Sequence, residues 1–167
     1  MIQEILTGTE NTELRQRSEE VRTVDKSIRM LIADMEETLL STDIGIGLAA
    51  PQIGVHKRVI LITLYRDVPG REDPEEKILV MINPVIEQFS LETVVMEEGC
   101  LSLPDYYAEV ERSESIVVRF LDRKGRPQKL ALSGLHAREV QHEIDHLDGI
   151  LFADKVLKKK EEGKQYA

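Results

Sequence analysis

The stretch that most restricts how this chain can fold is QHEIDHLDG, residues 141–149, with the residues just before it. Ala137, Val140, Ile144 and Leu147 recur at helical spacing behind Ser133-Gly134, and Gly149 offers a stop. His142 and His146 are four apart, so both imidazoles project from one helical face about one turn apart. At about 100° per residue they lie opposite Val140 and Ile144. Such a helix must pack on a core along one side and leave the other side open to a ligand. Any fold for this chain has to supply both surroundings at once.

The rest of the sequence supplies partners for that helix. Ile28, Leu31, Ile32, Met35 and Leu39 repeat at helical spacing behind Asp25, a suitable N-cap, and predict a second amphipathic helix. RVILITLY (58–65), ILVMI (78–82), VVMEE (94–98), SIVVRFLD (115–122) and QKLAL (128–132) are short, rich in β-branched residues, and read as strands. DRKGRP between the last two suits a hairpin turn, so the sheet is expected to be largely antiparallel. With 167 residues and 41% hydrophobic content, one α+β domain over residues 1–167 can bury a single core.

Charge narrows the function. Twenty-two basic residues against 31 acidic ones give a net charge of -9, which repels phosphate backbones, and nucleic acid is not the expected substrate. The N-terminal residues lack a signal peptide's basic and apolar regions and no run is long enough to span a bilayer, so a cytoplasmic location without membrane association is expected. The tail from about residue 157 is charged and expected to fray, and Lys158, Lys159 and Lys160 read as a solvated run, with weak docking on a ribosome as the sharper alternative.

His142-Glu143-Ile144-Asp145-His146 matches H-E-x-x-H, the spacing by which a helix offers two imidazoles to one metal ion. A catalytic site commonly takes a third protein ligand and keeps one position open. The metzincin continuation would need a histidine at 152, where this chain has Phe152. Glu161 and Glu162 lie in the tail, and His136 is about 9 and 15 Å from the pair along the helix axis. That leaves the single cysteine, Cys100, in EEGCLS, which alone would read as an inert buried thiol but beside this motif is expected to complete a Cys-His-His site. GIGLAAPQIG (45–54) has neither the G-x-G-x-x-G pattern nor the lysine of a phosphate loop; its small residues instead allow another backbone to approach.

Taken together, GIGLAAPQIG, EGCLS (98–102) and QHEIDHLDG resemble the three motifs of the peptide deformylase family, and the order and spacing agree from about Leu14 to Val156. The resemblance implies mixed or antiparallel sheets around a central metal-binding helix. It implies that Cys100, His142 and His146 ligate one divalent ion, ferrous iron in preference to zinc, nickel or cobalt. Glu143 would be the general acid and base, with the Leu101 backbone N–H and the Gln52 side chain meeting the oxyanion. The substrate would be the N-formylmethionyl end of nascent polypeptides, bound as an added strand along residues 45–52, with Gly47 and Gly99 in contact with it. Ile46, Met96 and Leu135 would surround its first side chain, and Arg112 would lie near its backbone. Arg138 and Glu139 adjoin that pocket and read as a solvated rim, because a buried unpaired charge is costly. An H-E-x-x-H endopeptidase and a structural metal domain are the rival readings; Phe152 and EGCLS argue against the first, and the sole Cys together with the distance of His56 and His136, which leaves the fourth position open, against the second.

Overall fold

The computed structural model describes residues 1–157. Its architecture follows from β2 (Val59–Arg66), whose first five residues are all buried. Alternate side chains of a strand point to opposite faces, so a strand buried along its length needs a layer on each side. Val59 and Leu61 face α1 (Lys26–Leu40), packing with Ile28, Leu31, Ile32, Met35 and Leu39. Ile60 and Ile62 face the other way, onto Ala137, Val140 and Leu147 of α2 (Gly134–Leu147). Asp25 caps α1 as expected, its carboxylate accepting from the Ile28 N–H at 3.1 Å.

β2 belongs to a five-stranded sheet of order β1-β2-β3-β6-β7, with β1 at Gly47–Ala49, β3 at Glu75–Phe89, β6 at Ser115–Leu121 and β7 at Pro127–Ser133. A separate two-stranded sheet joins β4 (Thr93–Cys100) to β5 (Leu103–Ser113). Every pairing within the two sheets is antiparallel, which narrows the expected mixed or antiparallel arrangement. α2 lies between the sheets: its apolar face meets the five-stranded sheet, while Gln141 and Arg138 reach the backbones of β4 and β5.

Three differences from the sequence reading have local causes. β3 extends well beyond residues 78–82, because its register shifts between Ile82 and Val85 and so tolerates Pro84, which cannot donate to a ladder. β5 is unanticipated: most of LPDYYAEVERS is exposed, so its sequence lacks an apolar run. β1 is only three residues long and hides in a segment rich in glycine and alanine. The lysine run at 158–160 falls outside the described residues. Among those described, no helix is long and apolar enough to cross a membrane.

The turn that closes α2 holds Gly149, which has φ +73 and sits so close to another segment that an added Cβ would lie 2.3 Å from the Arg15 carbonyl oxygen. From there the chain returns to bury Leu151 and Phe152 with Leu14, Leu103 and Val110 under the small sheet. Gly149→Ala is expected to lower stability by about 2–3 kcal/mol through both the positive φ and the clash, read as a reduced urea midpoint at unchanged slope.

Candidate metal centre

α2 delivers His142 and His146 from the face opposite its core contacts, and the end of β4 delivers Cys100. The ligand atoms of these three residues all lie within 4.8 Å of one another. Cys100 Sγ is 3.3 Å from His146 Nε2. A register shift between Glu98 and Cys100, followed by a tight turn into Leu103, aims the thiol at the helix. Gly99 is needed there because a Cβ would fall 2.6 Å from the Tyr107 ring.

His142 Nδ1 lies 2.8 Å from Glu98 Oε1. The carboxylate only accepts, so Nδ1 carries the hydrogen and Nε2 is left for a ligand. Burial alone would raise the Glu98 pKa, but bonds from His142 and Arg112 outweigh it and hold the group well below the usual carboxylate range. For His142, burial works against the charged form, yet the bonds to Cys100 and Glu98 prevail and raise its pKa to about 10. Burial and the neighbouring His142 push His146 the other way, well below its ordinary value. The cleft thus favours one positive charge among two nitrogens and a sulfur, which is what a divalent ion displacing that proton would find. These donors fit a thiolate-imidazole metal site.

Glu143 is 5% exposed, and its Oε2 is buried without a partner among the described residues. Burial raises its pKa to about 7, with His142 and Arg112 partly opposing. A Cβ on Gly47 would lie 2.8 Å from Glu143 Oε1, so that glycine makes room for the carboxyl. Gln52 is fully buried, its Oε1 accepting from the Ala49 N–H at 2.9 Å and its Nε2 donating to Ser102 Oγ at 3.0 Å, with Cys100 Sγ 3.6 Å away.

A cavity of about 610 Å³ opens beside this cluster. Its wall includes Ile46, Gly47, Gln52, Met96, Gly99, Cys100, Leu101, Leu135, His142 and Glu143, all singled out from sequence. His146 lies behind it, 1% exposed. Arg112 does not line the cavity, which corrects the expectation that it lies near the substrate backbone. Its guanidinium is 3% exposed, bonded to both oxygens of Glu98 at 2.6 and 2.9 Å and to Asp145 at 2.9 Å, because a buried cation needs carboxylates around it. The solvated-rim reading of Arg138 and Glu139 is also overturned: they are 5% and 4% exposed. With a sheet on each side of α2 neither reaches bulk water. Arg138 donates to Glu98 Oε2 at 2.5 Å, Val110 O at 3.0 Å and Val94 O at 2.6 Å, whereas both Glu139 oxygens lack partners among the described residues.

Sequence reasoning assigned no role to Glu98 or Asp145 individually. The available signal was charge arithmetic: Arg112 on a strand and Arg138 on a two-sided helix both need a buried acceptor. Phe152, at the position where a metzincin would carry its third histidine, stacks on the His142 ring with centroids 5.9 Å apart. His136 is occupied elsewhere, its Nε2 accepting from the Tyr65 N–H.

The chain is similar to known proteins over most of its length. The family model for polypeptide deformylase matches residues 2–162. A peptide deformylase of Thermosynechococcus vestitus is 50% identical over 143 residues, 86% of this chain and 73% of that relative. One of Rhizobium meliloti is 50% identical over 147 residues, 88% and 81% of the two chains. A class I type b peptide deformylase from Acinetobacter baumannii, solved with Met-Ala-Ser bound, superposes with a TM-score of 0.83 at 36% identity, covering 93% of this chain and 99% of that one. The Synechococcus elongatus enzyme in complex with actinonin gives 0.81 at 43% identity, covering 92% and 79%.

Glu98→Gln keeps the shape of the side chain but removes the charge that orients His142. Affinity for zinc, measured by competition with a chromophoric chelator, is expected to fall by about 10–100-fold. An unchanged affinity would remove Glu98 from the support of the ligand.

Proposed function

This chain belongs to the polypeptide deformylase family and is a peptide deformylase, and from that premise we propose how its own residues carry the reaction. Cys100, His142 and His146 would hold one divalent ion, ferrous iron by the family resemblance, although zinc, nickel and cobalt suit the same donors. When bound, such an ion supplies Lewis-acid polarisation and a water acidified toward neutrality.

Glu143 moves the proton. With its pKa near 7 it exchanges readily between both forms, taking a proton from the attacking water and delivering it to the departing amine. Water and the formamide are thereby converted to formate and a free N-terminal amine, and Cys100 acts as a ligand with no covalent intermediate. The Leu101 N–H and the Gln52 amide stabilise the oxyanion, a role supported by their position on the cavity wall beside Cys100.

The substrate is the formylmethionyl end of nascent chains, in keeping with the Met-Ala-Ser peptide bound by the Acinetobacter baumannii relative. β1 is an edge strand with only β2 beside it, so an extended peptide can add along Gly47. Ile46, Met96 and Leu135 form the apolar walls for the first side chain, with Gly99 across the cavity. We place this work in the cytoplasm, where nascent chains emerge, with at most weak ribosome contact and no reading of nucleic-acid sequence.

The observation that carries this reading is Glu143, an unpartnered buried carboxyl poised near neutrality beside the Cys-His-His cluster. Under anaerobic conditions the ferrous-loaded wild type should release formate from formyl-Met-Ala-Ser and leave an internal peptide uncut. Glu143→Ala should lose about 10²–10⁴-fold in kcat with its metal retained. Internal cleavage without formate would favour the endopeptidase instead, and inactivity at full loading would favour a structural ion.

A further inference from the structure

The cavity runs from the Cys-His cluster along α2, where Glu143, Glu139 and Leu135 succeed one another at four-residue steps, about 6 Å apart along the axis. Leu135 is partly exposed at the mouth, and Glu143 is beside the ligands. Glu139 lies between them on the wall, 4% exposed, with neither carboxyl oxygen hydrogen-bonded to any described residue. Its neighbour Arg138, equally deep, makes three bonds. A buried polar group without a partner destabilises the free protein, and a ligand that supplies the partner recovers that loss.

We propose that Glu139 is a specificity-determining residue, donating a hydrogen bond to the tip of the substrate's first side chain. It thereby favours formyl peptides whose first residue ends in an acceptor, the thioether of methionine and more strongly its sulfoxide, over an isosteric hydrocarbon. This rests on the deformylase reading given above.

The form of the carboxyl agrees with a donor. Burial, and secondly the nearby Glu143, raise its pKa to about 9, so it keeps its proton at neutral pH. A protonated carboxyl offers one O–H; a thioether sulfur is a weak acceptor, a sulfoxide oxygen a strong one, and a methylene none. Apolar walls alone discriminate poorly between side chains of equal size, whereas a buried donor penalises the side chain that leaves it unpaired. Glu139 thus adds a polar criterion to a cavity otherwise selecting on size.

The test compares kcat/KM for formate release from formyl-Met-Ala-Ser, formyl-norleucyl-Ala-Ser and the methionine-sulfoxide form of the first peptide, at equal metal loading. The enzymes are wild type, Glu139→Gln, which still donates, and Glu139→Met and Glu139→Leu, which do not. The sulfoxide-to-norleucine ratio is expected to fall about tenfold in the Met and Leu variants and to be retained in the Gln variant. The methionine-to-norleucine ratio should fall in the same direction by less. Either non-donating variant suffices if the other fails to fold. A ratio that moves by less than about twofold in the non-donating variants, or falls equally in Glu139→Gln, overturns the proposal. Absence of formate from every peptide with the loaded wild type would instead overturn the deformylase reading on which it stands.

Discussion

One carboxylate holds the working parts of this molecule together. Glu98, 6% exposed, binds His142 from α2, Arg112 from β5 and Arg138 from α2, all within 3 Å. Burying an isolated carboxylate would be prohibitive, and two arginines around it would be little better alone; Asp145 on the far side of Arg112 brings the group closer to neutrality. Such a network contributes little net stability compared with apolar packing, but removing one member strands the others. Its value is positional. It fixes the ring of His142 and the separation of α2 from β4, which bears Cys100 two residues after Glu98.

α2 therefore answers to two sets of constraints. Toward the five-stranded sheet it is an ordinary packed helix, with Ala137, Val140 and Leu147 among Ile60, Ile62 and Met81. Toward the smaller sheet it is polar, and its buried side-chain atoms left without a partner among the described residues are those of the two cavity-lining carboxyls, Glu139 and Glu143, and Nδ1 of His146 behind them. Apolar packing on one side supplies the rigidity with which charges on the other can be held out of water.

Much of this was legible in the sequence wherever a periodic pattern coincided with a chemical need. α1 and α2 declare themselves by apolar spacing and by Asp25 or Gly149, and the strands of the large sheet by β-branched runs. The cluster of Cys100 with His142 and His146 could be reached by eliminating other third ligands. What escaped was set by layers that no local pattern encodes. β5 lacks an apolar run because it is mostly exposed, and Arg138 and Glu139 look like surface residues until a second sheet covers that side of the helix. Arg112 belongs to the scaffold for the same reason, its guanidinium being claimed by carboxylates distant in sequence.

The two sheets share no ladder. The smaller one is joined to the rest by side chains, by the turns at its ends and by main-chain bonds from Leu157 to Glu109 and from Gly8 to Ser102, and Cys100 stands at its tip opposite the histidines of α2. An ion binding all three residues would therefore act as a cross-link between the small sheet and α2, stabilising the folded chain by its binding free energy, because the unfolded chain offers no such site. In this architecture such a centre would also be a clasp, and loading it should tighten the mouth of the cavity.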